Sequence, residues 1–155
     1  MKKQEKTNVM RILDQHNIPY KEHSYDPEKG IAGEDVASQL GEEADRVFKT
    51  LVTVGASGNH YVFVIPVNKE LDLKKAAKAA KEKNIVMIKQ KELLPLTGYI
   101  HGGCSPIGMK KYFPTFFDET AILYDTIFFS AGKIGYQVEL NINDLTVIEY
   151  QLAEL

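Results

Sequence analysis

A mixed α/β domain is the fold class this sequence predicts, and three observations carry the prediction. Short runs rich in β-branched residues are interspersed with stretches whose apolar residues keep helical spacing. Residues 46–54 and 61–67 are two such runs separated by Gly55-Ala-Ser-Gly-Asn59, a β-hairpin signature. Hairpin-like returns recur further on instead of a regular strand–helix–strand alternation, which argues against a doubly wound parallel sheet.

Each element follows from local chemistry. Thr7 can cap a helix carrying Val9, Ile12, Leu13 and His16 on one face, ended by Asn17-Ile18-Pro19. Residues 20–25 alternate as a short strand. Residues 26–30 form a turn, and a second helix spans 33–40 until Gly41 stops it. In the first hairpin strand Lys49 shares a face with Val47 and Leu51 while Phe48, Val52 and Val54 share the other. An ammonium there must be paired, reach solvent along its stem, or face a ligand-filled cleft. Asp72 is placed to cap a helix through Lys83 with Leu73, Ala76, Ala77 and Ala80 inward and lysines outward. A strand over 85–88 and one helical turn over 90–94, broken by Pro95, come next. Residues 113–117 read as a loop or edge segment interrupted by Pro114, with a helical turn opening at Asp118. Strands over 126–129 and 136–140 flank Ser130-Ala-Gly-Lys-Ile-Gly135. A helical turn over 141–145 and a closing strand over 146–149 complete the chain.

At 155 residues, 44% hydrophobic and 26% charged, residues 1–155 are expected to form a single domain with an ordinary core. No apolar run approaches the roughly 20 residues needed to span a bilayer, and the first residues lack a signal peptide's apolar region, so a cytoplasmic protein is expected, with no membrane partner. Cys104 is the single cysteine, which excludes an intrachain disulfide and a thiolate metal cage. His16, His23, His60 and His101 show no paired metal-ligand spacing, so no metal and no cofactor is expected. The net charge of −2 is uneven: from Lys69 to Lys91 eight lysines stand against three acids. That segment is either the solvated side of a lysine-rich helix or a landing strip for a nucleic-acid backbone.

The window from Thr97 to Lys111 holds four glycines and a proline beside reactive side chains. Gly102 and Gly103 leave no Cβ in the way of a ligand and admit positive φ, while Pro106 pushes Ser105 towards an extended geometry. Such a loop can aim several backbone N–H groups at one point, where an anion or developing oxyanion would sit. Cys104, three residues after His101, invites a Cys/His nucleophile; against it, a free cysteine commonly packs as a small hydrophobe, and no carboxylate is placed to orient the histidine.

The run Gly-Tyr-Ile-His-Gly-Gly-Cys-Ser-Pro-Ile-Gly-Met-Lys-Lys from Gly98 to Lys111, with Val47-Phe48-Lys49-Thr50-Leu51 and Ser130-Ala-Gly-Lys-Ile-Gly135, resembles the YbaK family. These are free-standing aminoacyl-tRNA editing proteins, the Cys-tRNA(Pro) deacylases, related to the editing insertion of bacterial prolyl-tRNA synthetases. The resemblance runs from about Thr7 to Tyr150. It implies a barrel-like, mostly antiparallel mixed sheet surrounded by helices. It also implies a substrate-assisted reaction in which the thiol of a mischarged cysteine attacks its own ester carbonyl, releasing a thiolactone and free tRNA; the protein's own cysteine is not the nucleophile in that family.

On this resemblance Lys49 contacts the carbonyl or charged end of the aminoacyl-adenosine, and Gly102, Gly103 and Ser105 receive the carbonyl oxygen. Lys49, Gly103 and Ser105 are therefore the catalytic candidates. Ser130 and Gly132 form the opposite wall, Tyr20 covers the amino-acid pocket, Phe48 or one of the tyrosines stacks on the terminal adenine, and Thr50, His101 and Pro106 complete the substrate-binding set. His101 stands where the family carries an arginine, so tRNA affinity is expected to depend more on pH here. The partners implied are tRNA, through its aminoacylated 3′ end, and prolyl-tRNA synthetase. Two other functions fit the residues: a non-catalytic binder of aminoacyl-adenosine or RNA ends, and a related hydrolase acting on Ala-tRNA(Pro).

Overall fold

The computed structural model describes residues 6–155. Helix α1 (Asn8–Gln15) starts where the Thr7 hydroxyl accepts the Met10 N–H at 3.2 Å. It buries Val9, Met10 and Leu13, while His16, expected on this face, is exposed, its Nδ1 2.9 Å from the Ile12 carbonyl. Strand β1 (Lys21–Ser24) leads to α2 (Gly33–Leu40), which Gly41 ends in the left-handed conformation. The predicted hairpin forms as β2 (Phe48–Gly55) and β3 (His60–Pro66), antiparallel with Lys49 opposite Ile65. Then follow α3 (Leu73–Ala80), β4 (Ile85–Met87), α4 (Gln90–Thr97), β5 (Thr115–Asp118), β6 (Ile127–Ser130), β7 (Tyr136–Leu140) and β8 (Gln151–Ala153).

The strands make two sheets, one of three in the order β1-β7-β6 and one of five in the order β4-β2-β3-β5-β8. Four pairings are antiparallel; β3–β5 and β5–β8 are parallel. The mixed, mostly antiparallel arrangement is as expected, but the sheets do not close into a barrel. Their backbones are linked by one isolated parallel bridge, Val47 to Phe128. Beyond it β6 ends within two residues at Ser130, leaving no ladder to extend.

The main core lies between the two sheets and α1, with Phe48, Val52, Val62, Val64 and Phe117 facing Phe129, Val138 and Leu140. A second core lies where α3 covers Phe63, Ile65 and Phe116 through Ala76 and Ala77. The smallest joins Ala37 of α2 to Val47, Val67 and Phe128. Each fully buried phenylalanine contributes roughly 1.5–3 kcal/mol, and Phe48, Phe63, Phe117, Phe128 and Phe129 are among the largest buried side chains.

Four local expectations are corrected. α3 stops at Ala80, because Lys81 adopts φ 58° and turns the chain, and Leu73 remains 39% exposed. α4 continues through Pro95 to Thr97; the Thr97 hydroxyl donates to the Leu93 carbonyl and the Gly98 N–H to that of Leu94, closing the turn that proline weakens. Residues 115–118 are an interior strand, not an edge. Pro114 stands before the ladder and its carbonyl accepts the Val62 N–H at 2.9 Å, so no strand donor is lost. The closing strand is Gln151–Ala153; residues 146–149 are instead irregular, with a bend at 147–148 where Val147 and Ile148 pack on the main core.

Candidate active site

The N-terminal residues of β2 emerge from the sheet beside the face of the small sheet that carries Ser130 and Gln137, which are paired across β6 and β7. A cleft of about 170 Å³ opens there. Phe48, Lys49 and Thr50 of β2 line it, with Ala32 and Gly33 at the start of α2, Leu93 of α4, and His101, Gly102 and Cys104 of the glycine loop.

Lys49 is half-buried and makes no ion pair among the described residues. Two other residues of the lining carry oxygens without partners: Thr50 Oγ1 and Gln137 Oε1 are buried with no hydrogen bond among the described residues. An unsatisfied buried oxygen costs about 1–3 kcal/mol, so two of them lining one cleft indicate a site completed by a ligand. Ser130 Oγ accepts the Gly132 N–H at 3.1 Å, which leaves its own proton to donate.

Cys104 also lines the cleft, but burial pushes its thiol up to about 12, against a smaller opposing effect of the Thr97 hydroxyl. The thiol is therefore protonated at neutral pH and offers no thiolate nucleophile. Among the described residues no group of three or more histidine, cysteine or carboxylate side chains could hold a metal, and no helix is long and apolar enough to cross a membrane.

Residues 28–148 match the aminoacyl-tRNA editing domain family. The chain belongs to that family. It is 54% identical over 140 residues to a protein of Enterococcus faecalis (strain ATCC 700802 / V583) carrying the provisional name Cys-tRNA(Pro)/Cys-tRNA(Cys) deacylase EbsC, covering 90% of this chain and 85% of the relative. A crystal structure described provisionally as a trans-editing enzyme for prolyl tRNA synthetase superposes with a TM-score of 0.82 at 23% identity, covering 96% of this chain and 97% of that one. The crystal structure of hypothetical protein APE2540 gives 0.81 at 17% identity, covering 94% and 97%. These two structures establish the likeness of fold.

In this editing domain the expected site residues separate. Phe48, Lys49, Thr50, His101, Gly102 and Ser130 line the cleft; Gly103, Ser105, Pro106, Gly132 and Tyr20 do not. The Gly103 N–H donates to the Ile100 carbonyl at 3.0 Å. Ser105 is fully buried, with its hydroxyl oxygen accepting the Ile107 N–H at 3.3 Å. Pro106 faces another cavity, with Gly108, Lys111 and Tyr112. Gly132 sits against Val9 and Tyr99. Tyr20 packs on the main core, its hydroxyl pushed up to about 12 by burial and by the Asp14 carboxylate.

Gln137 and the start of α2 were missed. In the sequence Tyr-Gln-Val-Glu-Leu alternates like a half-exposed strand, which assigns Gln137 to solvent. Instead Gln137 is 6% exposed. Its neighbour on that face, Glu139, lies 2.8 Å from His23 Nε2 and accepts the Thr126 hydroxyl at 2.5 Å. Arg46 donates to Thr126 Oγ1 at 2.7 Å and lies 5.4 Å over the Phe128 ring. This network ties the residue before Val47 to the small sheet and so fixes where β2, with Lys49, enters the cleft.

Proposed function

We propose that this chain is a cytoplasmic trans-editing deacylase that removes cysteine from mischarged Cys-tRNA(Pro), and from Cys-tRNA(Cys), by substrate-assisted thiolactone formation. Residues 1–155 act as one editing unit whose partners are tRNA and prolyl-tRNA synthetase. The observation that carries this is the cleft itself: one lining holds Lys49, without an ion pair among the described residues, and the residues of two unpartnered buried oxygens, with the one available thiol held protonated. Such a site can bind and orient an aminoacyl ester and stabilise charge on it. It supplies no thiolate. Membership of the editing family and the name of the Enterococcus relative support the same substrate class.

In the reaction the substrate thiol loses its proton to solvent and its sulfur attacks the ester carbonyl carbon. The C–S bond forms, the C–O bond to the terminal ribose breaks, and the ribose oxygen takes up a proton, leaving thiolactone and tRNA. Holding thiol and carbonyl together raises their effective concentration, for which the protein needs shape more than a nucleophile. Lys49 and the Gly102 backbone face the oxygen as it gains charge. Ser130 and Gln137 hold the amino-acid end.

The deciding experiment is single-turnover deacylation of tRNA(Pro) charged separately with cysteine and alanine, comparing the native chain with Lys49→Ala. Cysteine released as thiolactone, with the rate reduced at least a hundredfold by the substitution, is the expected result. Free alanine as the product would make the chain an Ala-tRNA(Pro) hydrolase. RNA binding without release of either would make it a binding module.

A further inference from the structure

The mouth of the cleft has two banks of opposite charge. Along residues 26–46, which include α2, seven carboxylates stand against Lys29 and Arg46. On the other side, residues 89–111 carry Lys89, Lys91, Lys110 and Lys111 against Glu92, with His101 at the lip. All four lysines are exposed, and among the described residues none pairs with a carboxylate.

The fold brings this second bank to the cleft. Lys89 and Lys91 stand at the start of α4, the helix that gives the cleft Leu93. The Lys110 N–H donates to the Thr97 carbonyl at 2.9 Å, which folds the far end of the glycine loop back onto the end of α4. Lys111 then lines a second cavity of about 170 Å³ with Tyr112 and Phe113. Tyr112 is 68% exposed, and the Phe113 ring meets His60 edge-on at 5.7 Å. Beside Ile148 of that cavity, Glu149 is the one carboxylate adjoining its lining residues in sequence. An exposed aromatic ring beside unpaired cations suits single-stranded nucleic acid, whose bases stack while its phosphates are neutralised.

We propose that the RNA leaves the cleft over the bank formed by α4 and the glycine loop, with phosphates on Lys91, Lys110 and Lys111 and a base of the 3′ end on Tyr112. This rests on the editing function proposed above and adds the path of the polynucleotide. The α2 bank repels a polyanion. The more lysine-rich α3 is less suited to the path: α4 and the glycine loop give the cleft Leu93, His101, Gly102 and Cys104 whereas α3 gives it nothing, and Lys75 is held by Glu154 at 2.7 Å.

The test compares the Lys110→Glu/Lys111→Glu double variant with Lys74→Glu/Lys78→Glu on α3. Two substrates are used, cysteinyl-tRNA(Pro) and cysteinyl-adenosine, which has no phosphate. Loop reversal is expected to lower kcat/KM on tRNA by tenfold or more, to reduce the slope of log affinity against log salt by roughly one to two, and to leave the nucleoside ester within twofold. The α3 reversal should leave both substrates within twofold. Tyr112→Ala, but not Tyr112→Phe, should weaken tRNA binding about tenfold, as the loss of a base stack does. Equal or larger losses from the α3 reversal, or a loop reversal without effect on tRNA, would overturn the path. Affinity for uncharged tRNA is measured in parallel, so a native chain that binds RNA without deacylating it would refute the function and still decide the path.

Discussion

The Tyr99 ring fills the space beside Gly132. A Cβ built on Gly132 would lie 3.0 Å from Tyr99 Cε1 and 2.9 Å from Val9 Cγ2. Tyr99 also donates its hydroxyl to the Ile107 carbonyl at 2.5 Å, so one side chain braces the glycine loop against the turn after Ser130. Gly132 adopts φ +88°, which an L side chain rarely does. Gly132→Ala is expected to destabilise by about 1–3 kcal/mol through strain and the contact with Val9. Tyr99→Phe is expected to lose about 1 kcal/mol and to lower kcat more than it raises KM, since the cleft walls are loosened rather than removed. Denaturant midpoints and single-turnover rates would check both.

Thr50→Val and Gln137→Leu remove the two unpartnered oxygens while keeping shape. Replacing an unsatisfied polar atom with an apolar one of similar size relieves a cost of roughly 1–3 kcal/mol. Both variants should therefore be as stable as the native chain or more so, yet lose tenfold or more in kcat/KM for the cysteinyl ester. Instability in either variant would show that the oxygen has a structural partner.

Cys104→Ala should leave turnover within about twofold, because a thiol held up to about 12 by burial supplies no thiolate at neutral pH. Its cost should fall on stability, at roughly 1 kcal/mol for the lost packing volume. Alkylation should be slow in the native chain and fast in the unfolded one, which mass spectrometry after timed iodoacetamide treatment would measure. A large loss of turnover in the alanine variant would restore the Cys/His reading.

Glu139 titrates below the usual carboxylate range: burial raises it, but the Thr126 hydroxyl and His23 together outweigh burial. A carboxyl depressed on folding stabilises the native state above its unfolded value, and that stability is lost as pH falls through the folded value. Glu139→Gln is expected to be less stable than the native chain at pH 7, with the difference shrinking below about pH 4.5. Unfolding midpoints between pH 3 and 8 would reveal a constant difference if the carboxylate did not contribute.

Local structure was legible in the chain wherever short-range chemistry dominates. The Thr7 and Asp72 caps, the Gly41 stop and the 48–66 hairpin form as their residues dictate, because each depends on neighbours a few positions away. Lys49 stood out for the same reason, as a charge in a strand that is apolar on both sides. Pro95 and Pro114 misled because their costs are met by particular partners, the capping groups of Thr97 and Gly98 and the ladder beginning after residue 114.

The sequence by itself determined that this protein would carry a hairpin with a lysine in it, a glycine loop without a second cysteine, and strands and helices in mixed order. Only the tertiary structure decided which loop atoms reach the cleft. Gly103 and Ser105 spend their polar groups on Ile100 and Ile107 inside the loop, while Gln137, from the far side of the chain, brings an unpartnered oxygen to Lys49's cleft. The physical reason is that hydrogen-bond satisfaction is settled across the whole fold. Two residues as distant as Lys49 and Gln137 line one cleft because the Val47–Phe128 bridge and the Arg46–Thr126–Glu139 network hold the start of β2 against the small sheet.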